Sequence, residues 1–143
     1  MRASIFVFLL FAVFAIVGCF SSDRTPSTYK AAGKVLLPSG SPAYGAEITF
    51  VPKLKDGKLS GANGTAVLSK DGAFSLKSLG DKEGVPEGYY AVVINPNSPR
   101  KDLLADKQFG IANIPKKYWS EDTTDYFVTI DGDKTDLVIK LAK

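Results

Sequence analysis

The 143-residue sequence contains no histidine, one cysteine and one tryptophan. Without an imidazole, a serine or cysteine nucleophile lacks its usual base, and a metal centre built from His and Cys is excluded by composition. A Ser-Lys pairing stays chemically open, but no recognisable motif carries one. The lone cysteine has no partner for an intrachain disulfide. Basic residues are in small excess only, 18 Lys and Arg against 15 Asp and Glu, and they are interspersed with the acids. Counterion release on nucleic acid needs a concentrated basic face, so nucleic acid is not an expected partner. A long helical period is also missing, which points away from helical folds.

The N-terminus holds the one strongly apolar segment. Arg2 supplies a positive start, and residues 5–17 form an unbroken apolar run of thirteen. At about 1.5 Å per residue that run falls short of the about 20 residues a membrane span requires, so it reads as a signal peptide. Its end, Ile16-Val17-Gly18-Cys19, resembles a bacterial lipobox. The resemblance implies cleavage between Gly18 and Cys19 and acylation of Cys19, with the membrane as partner through that residue. One acyl chain holds only marginally, whereas two or three give durable attachment. The alternative is an ordinary secretory signal that leaves a free thiol, a liability in an oxidising compartment. Phe20 stands where an aspartate would signal inner-membrane retention, which in a host with two membranes favours the outer one. The expected location is the bacterial cell envelope, facing periplasm or exterior.

Removing residues 1–18 leaves 125 residues, one domain by length and large enough to bury about two-thirds of its unfolded surface. Residues 19–29 are polar after Phe20 and read as the lipidated cysteine and a flexible tether. From residue 30 to 143 the pattern has period two. Ala31, Gly33, Val35 and Leu37 share one face, as do Ala46, Ile48 and Phe50, and then Phe74 and Leu76. Pro38-Ser39-Gly40-Ser41-Pro42 is a turn, and Pro52 ends or edges the second strand. A short strand is expected around 65–69, followed by an Asp71-Gly72 two-residue hairpin turn of type I′. Tyr90, Val92 and Ile94 alternate with Tyr89, Ala91 and Val93 along a strand apolar on both faces, the best candidate for a central strand. Tyr126, Val128 and Ile130 are expected to pair with Leu137, Ile139 and Leu141 across a turn at 131–136. About seven short strands imply an all-β sandwich.

The spacings Gly33-x-Val35, Gly45-Ala46-x-Ile48-x-Phe50-x-Pro52, Asp71-Gly72-x-Phe74-x-Leu76 and Pro86-x-Gly88-x-Tyr90-x-Val92-x-Ile94 resemble the carboxypeptidase regulatory-like domain. That domain is a transthyretin-like, prealbumin-type sandwich of seven strands in Greek-key order. With the lipobox ahead and Ile114-Pro115-Lys116-Lys117-Tyr118 before the last strands, the arrangement is similar to small planctomycete-type lipoproteins. Ser41-Pro42-Ala43-Tyr44-Gly45 departs from the usual Gly-x-Pro turn before the second strand. The resemblance implies a module without catalytic residues, cofactor or metal, because enzymes on similar sandwiches depend on histidines.

Three features remain as candidate sites. Asp131, Asp133 and Asp136 could offer oxygens to calcium, but the Gly and bidentate Glu of a helix-loop-helix calcium loop are missing, and the residues suit a turn. Asn63-Gly64-Thr65 matches a glycosylation sequon and also a turn, and is read as the turn. Residues 95–125 form a long stretch between two strands, with helical turns expected at 102–109. Ile114, Pro115, Tyr118 and Trp119 can pin its far end to the domain. Tyr118 and Trp119 either cover an open edge of the core or, with Tyr44, form a binding surface for a glycan. The expected function is a non-enzymatic, membrane-anchored lipoprotein whose partner is an envelope protein, or alternatively polysaccharide.

Overall fold

The structure is a computed structural model describing residues 26–59, 61–96 and 113–143. The first strands are β1 (Thr28–Tyr29), β2 (Ala31–Leu36), β3 (Glu47–Lys53) and β4 (Gly64–Val67). Next come β5 (Ala73–Ser75), β6 (Lys77–Ser78), β7 (Lys82–Glu83) and β8 (Val85–Pro86). The chain ends in β9 (Gly88–Asn95), β10 (Phe127–Ile130) and β11 (Lys134–Lys140). The protein is all-β, and its only helical pieces among the described residues are short 3-10 turns. No helix among the described residues is long and apolar enough to cross a membrane.

The strands form a six-stranded sheet ordered β10-β9-β3-β4-β6-β7, a three-stranded sheet ordered β11-β2-β5, and the small β1-β8 pair. Among the described strands pairing is antiparallel except between β11 and β2, which run parallel. The inner faces of both larger sheets supply one apolar cluster. Ile48, Phe50, Tyr90, Val92, Ile94 and Ile130 come from the six-stranded sheet, and Val35, Phe74 and Ile139 from the three-stranded one. Phe50 touches both layers, its ring 6.1 Å from Phe74 and 6.0 Å from Tyr90. Each such side chain contributes about 1.5–3 kcal/mol by leaving water, which is why the period-two faces decide the fold. The Tyr90 hydroxyl, buried with its ring, donates to the Pro86 carbonyl at 2.7 Å.

The expected faces hold. Ala31, Val35, Leu37, Ala46, Ile48, Phe50, Phe74 and Leu76 are all buried, and β9 lies inside its sheet between β10 and β3. Pro52 pairs with Tyr90 beyond the last β3–β4 pair, Phe50 with Gly64, so β3 is edged on one side there.

Several connections differ from expectation. β10 and β11 do not pair: β10 lies against β9, while β11 lies against β2 in the other sheet. The Lys134 N–H donates to the Lys30 carbonyl at 2.8 Å, and the Lys30 N–H donates to Asp133 Oδ1 at 2.9 Å. These bonds draw the chain across to β2, so Ile130 and Ile139 reach the core from separate sheets.

Asp71-Gly72 is likewise not a two-residue hairpin. Gly72 N–H donates to the Ser69 carbonyl and Ser69 N–H to the Ala73 carbonyl, and only Gly72 has positive φ, 71°. This longer turn carries the chain from β4 in one sheet to β5 in the other. Asn63-Gly64 is no turn either, since Gly64 opens β4 without positive φ. Its missing side chain makes room for Val85 Cγ1 and the Leu76 side chain. Finally, Thr28 and Tyr29, at the end of the expected tether, belong to the folded part as β1, with the Thr28 hydroxyl donating to the Glu83 carbonyl at 2.9 Å.

Candidate functional site

Gly18 and Cys19, the cleavage and lipidation residues, lie outside the described residues, as does the 102–109 segment expected to be helical. The aromatic candidates are described, and they differ in burial. Pro115 precedes a 3-10 turn at Lys116–Trp119, closed by the Tyr118 N–H donating to the Pro115 carbonyl at 3.0 Å. One turn of that pitch sends adjacent residues in different directions. Tyr118 goes inward with Ile114 and is buried, and its hydroxyl accepts from the Ala142 N–H at 2.9 Å. Trp119 goes outward, 41% exposed, with its indole N–H on the Ile114 carbonyl at 3.2 Å and Lys116 Nζ 5.9 Å from its ring centre.

Tyr118 is therefore corrected from surface candidate to core residue, its ring having no face to offer a ligand. Tyr44 is half-buried between the buried Ala43 and Gly45. Of the three expected aromatic residues, Trp119 is exposed, Tyr44 half-buried and Tyr118 buried. Ile114 and Tyr118 do pin the far end of the 95–125 stretch to the core, as the sequence suggested.

Polar contacts hold the segment after Trp119. The buried Thr124 donates its hydroxyl to the Val92 carbonyl at 2.7 Å. Lys53 pairs with Glu121 at 2.9 Å and Lys117 with Asp125 at 2.8 Å. The hydrogen bond to Asp125 raises the Lys117 pKa, and the same bond holds the Asp125 carboxyl below its ordinary value. Burial raises the Tyr126 phenol.

A second surface was not anticipated. Tyr89 and Phe127 project from the outer faces of β9 and β10 as a stacked pair, centroids 5.4 Å apart and planes 10° from parallel. Lys55 Nζ sits 4.7 Å from the Tyr89 ring centre. Beside them opens a concavity of about 580 Å³ lined by Lys55, Asp56, Lys58, Glu87, Tyr89 and Asp131, among others. The signal was present in the sequence: Tyr89 and Phe127 both occupy the outward register of an alternating strand.

The acidic turn is engaged in structure. Asp131 pairs with Lys134 at 2.8 Å, which lowers its pKa, and Asp133 holds the Lys30 N–H. No group of three or more His, Cys, Asp or Glu able to hold a metal ion occurs among the described residues. The surfaces on view can stack on apolar rings and form hydrogen bonds or ion pairs, which is binding chemistry.

Compared with protein-family models, curated proteins and solved structures, the chain matches none.

Proposed function

We propose that this is a non-enzymatic lipoprotein of the bacterial envelope, anchored through Cys19, whose β-domain serves as a protein-interaction or structural module. The observation that carries the reading is the lipobox-like Ile16-Val17-Gly18-Cys19 directly ahead of a histidine-free β-domain. No nucleophile paired with an imidazole can be built from this composition, so the exposed surfaces are read as contacts. Phe20 favours the outer membrane in a host that has two.

The finer fold assignment belongs to the same reading. Among the described residues, seven of the eleven strands are three residues or longer, and they take the orders β10-β9-β3-β4 and β11-β2-β5 around one core. That arrangement supports a seven-stranded Greek-key sandwich of the transthyretin-like, carboxypeptidase regulatory-like kind.

A Cys19→Ala chain tests the anchor. The protein is expected to leave the membrane fraction and lose its lipid label, and a lipid-labelled mature form surviving the change would refute the assignment. The exposed Trp119 supports a second reading, glycan binding. An envelope pull-down scored for protein and for polysaccharide separates the two. Recovery of a specific protein supports the interaction module, whereas polysaccharide retention abolished by Trp119→Ala supports stacking.

A further inference from the structure

Leu54 and Leu59 are the two most exposed large apolar residues described, at 68% and 64%. Single exposed leucines are ordinary on protein surfaces. These two differ in where they stand. They flank a tight hairpin tip in which Lys55 and Lys58 exchange backbone hydrogen bonds of 3.0 and 2.9 Å around Asp56-Gly57. Nothing lies within 4 Å of where a Cβ on Gly57 would sit, so the tip is open to its surroundings.

The tip also occupies the end of the domain from which the chain leads back to Cys19. β3 enters the loop at Lys53, opposite Tyr89 near the start of β9. The preceding β8 pairs with β1, so the N-terminal strand joins the fold at that same end. On the return side of the loop, Pro26 Cγ lies 3.9 Å from where a Cβ on Gly61 would stand. Pro26, Gly61, Ala62 and Pro86 line one small depression there. From Pro26 back to Cys19 is seven residues, a reach of at most about 25 Å. Trp119 is set back from the tip: its neighbour Tyr118 meets Ala142 beyond the end of β11, while Glu121, two residues on, pairs with Lys53 at 2.9 Å.

We propose that Leu54 and Leu59 make a second membrane contact, dipping into the phospholipid interface beside the lipidated N-terminus. Lys58 lies along the surface with its ammonium group at headgroup level, as long basic side chains do at such boundaries, while Lys55 keeps its ammonium over the Tyr89 ring. Carboxylates at the same end, Glu87 and Asp131 among them, offset the lysines, so burial of the leucines is the driving part. The contact fixes the orientation of the domain, with the end that carries Ala142 turned away from the bilayer. This inference rests on the reading of Cys19 as lipidated.

The test uses the full chain purified from membranes, with acylation of Cys19 determined by mass. It is reconstituted into vesicles of equal phosphatidylethanolamine and phosphatidylglycerol carrying brominated acyl chains. Native Trp119 reports a position set back from the tip. Leu59→Trp and, separately, Leu54→Trp, each combined with Trp119→Phe, report the tip. An interfacial side chain sits about 5–10 Å into the boundary, so bromine is expected to lower emission of the tip indoles about twofold or more and that of Trp119 by less. An acylated chain with unquenched indoles at both tip positions overturns the contact and leaves the anchor standing. Quenching of Trp119 equal to the tip overturns the orientation. An unacylated Cys19 overturns anchor and contact together.

Discussion

Asp56-Gly57 and Asp71-Gly72 are the same dipeptide folded into different turns. At the first, both residues have positive φ, 51° and 73°, and the flanking lysines pair as a two-residue hairpin open to its surroundings. At the second, Gly72 alone has positive φ and is buried, with its carbonyl accepting the Val35 N–H at 2.9 Å. A Cβ there would stand 2.6 Å from the Val35 carbonyl oxygen and 2.9 Å from that of Ala43. The local preference of Asp-Gly is the same in both places. What differs is the destination of the chain: one turn brings it back on itself, and the other moves it between sheets.

That contrast can be broken by substitution. Gly72→Ala is expected to cost about 3 kcal/mol, combining the left-handed backbone penalty with a clash against fixed carbonyls. A urea midpoint close to wild type would show that Gly72 does not carry the crossing. Gly57→Ala carries only the backbone penalty, about 1–2 kcal/mol, and Gly57→Asn less, because asparagine tolerates that conformation. Equal losses for Gly57→Ala and Gly72→Ala would erase the distinction between open and buried turns.

The other crossing, at 131–133, is sharpened by Asp133→Ala, which removes the acceptor for the Lys30 N–H. The exposed bond is worth about 0.5–1.5 kcal/mol, read as a lowered midpoint with unchanged m-value. No change would mean that pairing with β2 alone draws β11 across.

The smallest effect belongs to Lys117 and Asp125, whose side chains meet at the surface and are screened by water. Asp125 lies below its ordinary 3.8, so its contribution is present above that value and is lost as pH falls through the lowered one. Lys117 lies above its ordinary 10.5, so its contribution is present below that value and is lost as pH rises through the raised one. Melting temperatures of wild type and Asp125→Asn should converge in acid and at high alkaline pH and separate slightly between. Parallel curves across the whole range would contradict the coupling.

Alternation along single strands was legible because each residue's face follows from period two. Val35, Ile48, Phe50, Phe74, Tyr90 and Ile130 could all be placed inward before any partner strand was known. Pairing was not legible in the same way. Tyr126 to Leu141 has the pattern of a hairpin, and it takes backbone bonds to Lys30, more than a hundred positions away, to divide it between two sheets. Asn63-Gly64 has the composition of a turn, whereas the small size of Gly64 answers to Val85 and Leu76, which no local pattern reveals. At the candidate site, a 3-10 turn put Tyr118 inside and left Trp119 out, a division that adjacency in sequence does not express. Leu54 and Leu59 stand among lysines and glycines at 53–61, and two leucines in so polar a run are the signal the sequence offers for the tip.

The most direct test of the account is the mass of the N-terminal peptide of the mature protein recovered from membranes. The mature chain is expected to begin at Cys19 and to carry a diacylglyceryl group on sulfur, usually with an acyl chain on its amino group. A mature chain with an unmodified Cys19, or one cleaved elsewhere, would contradict it.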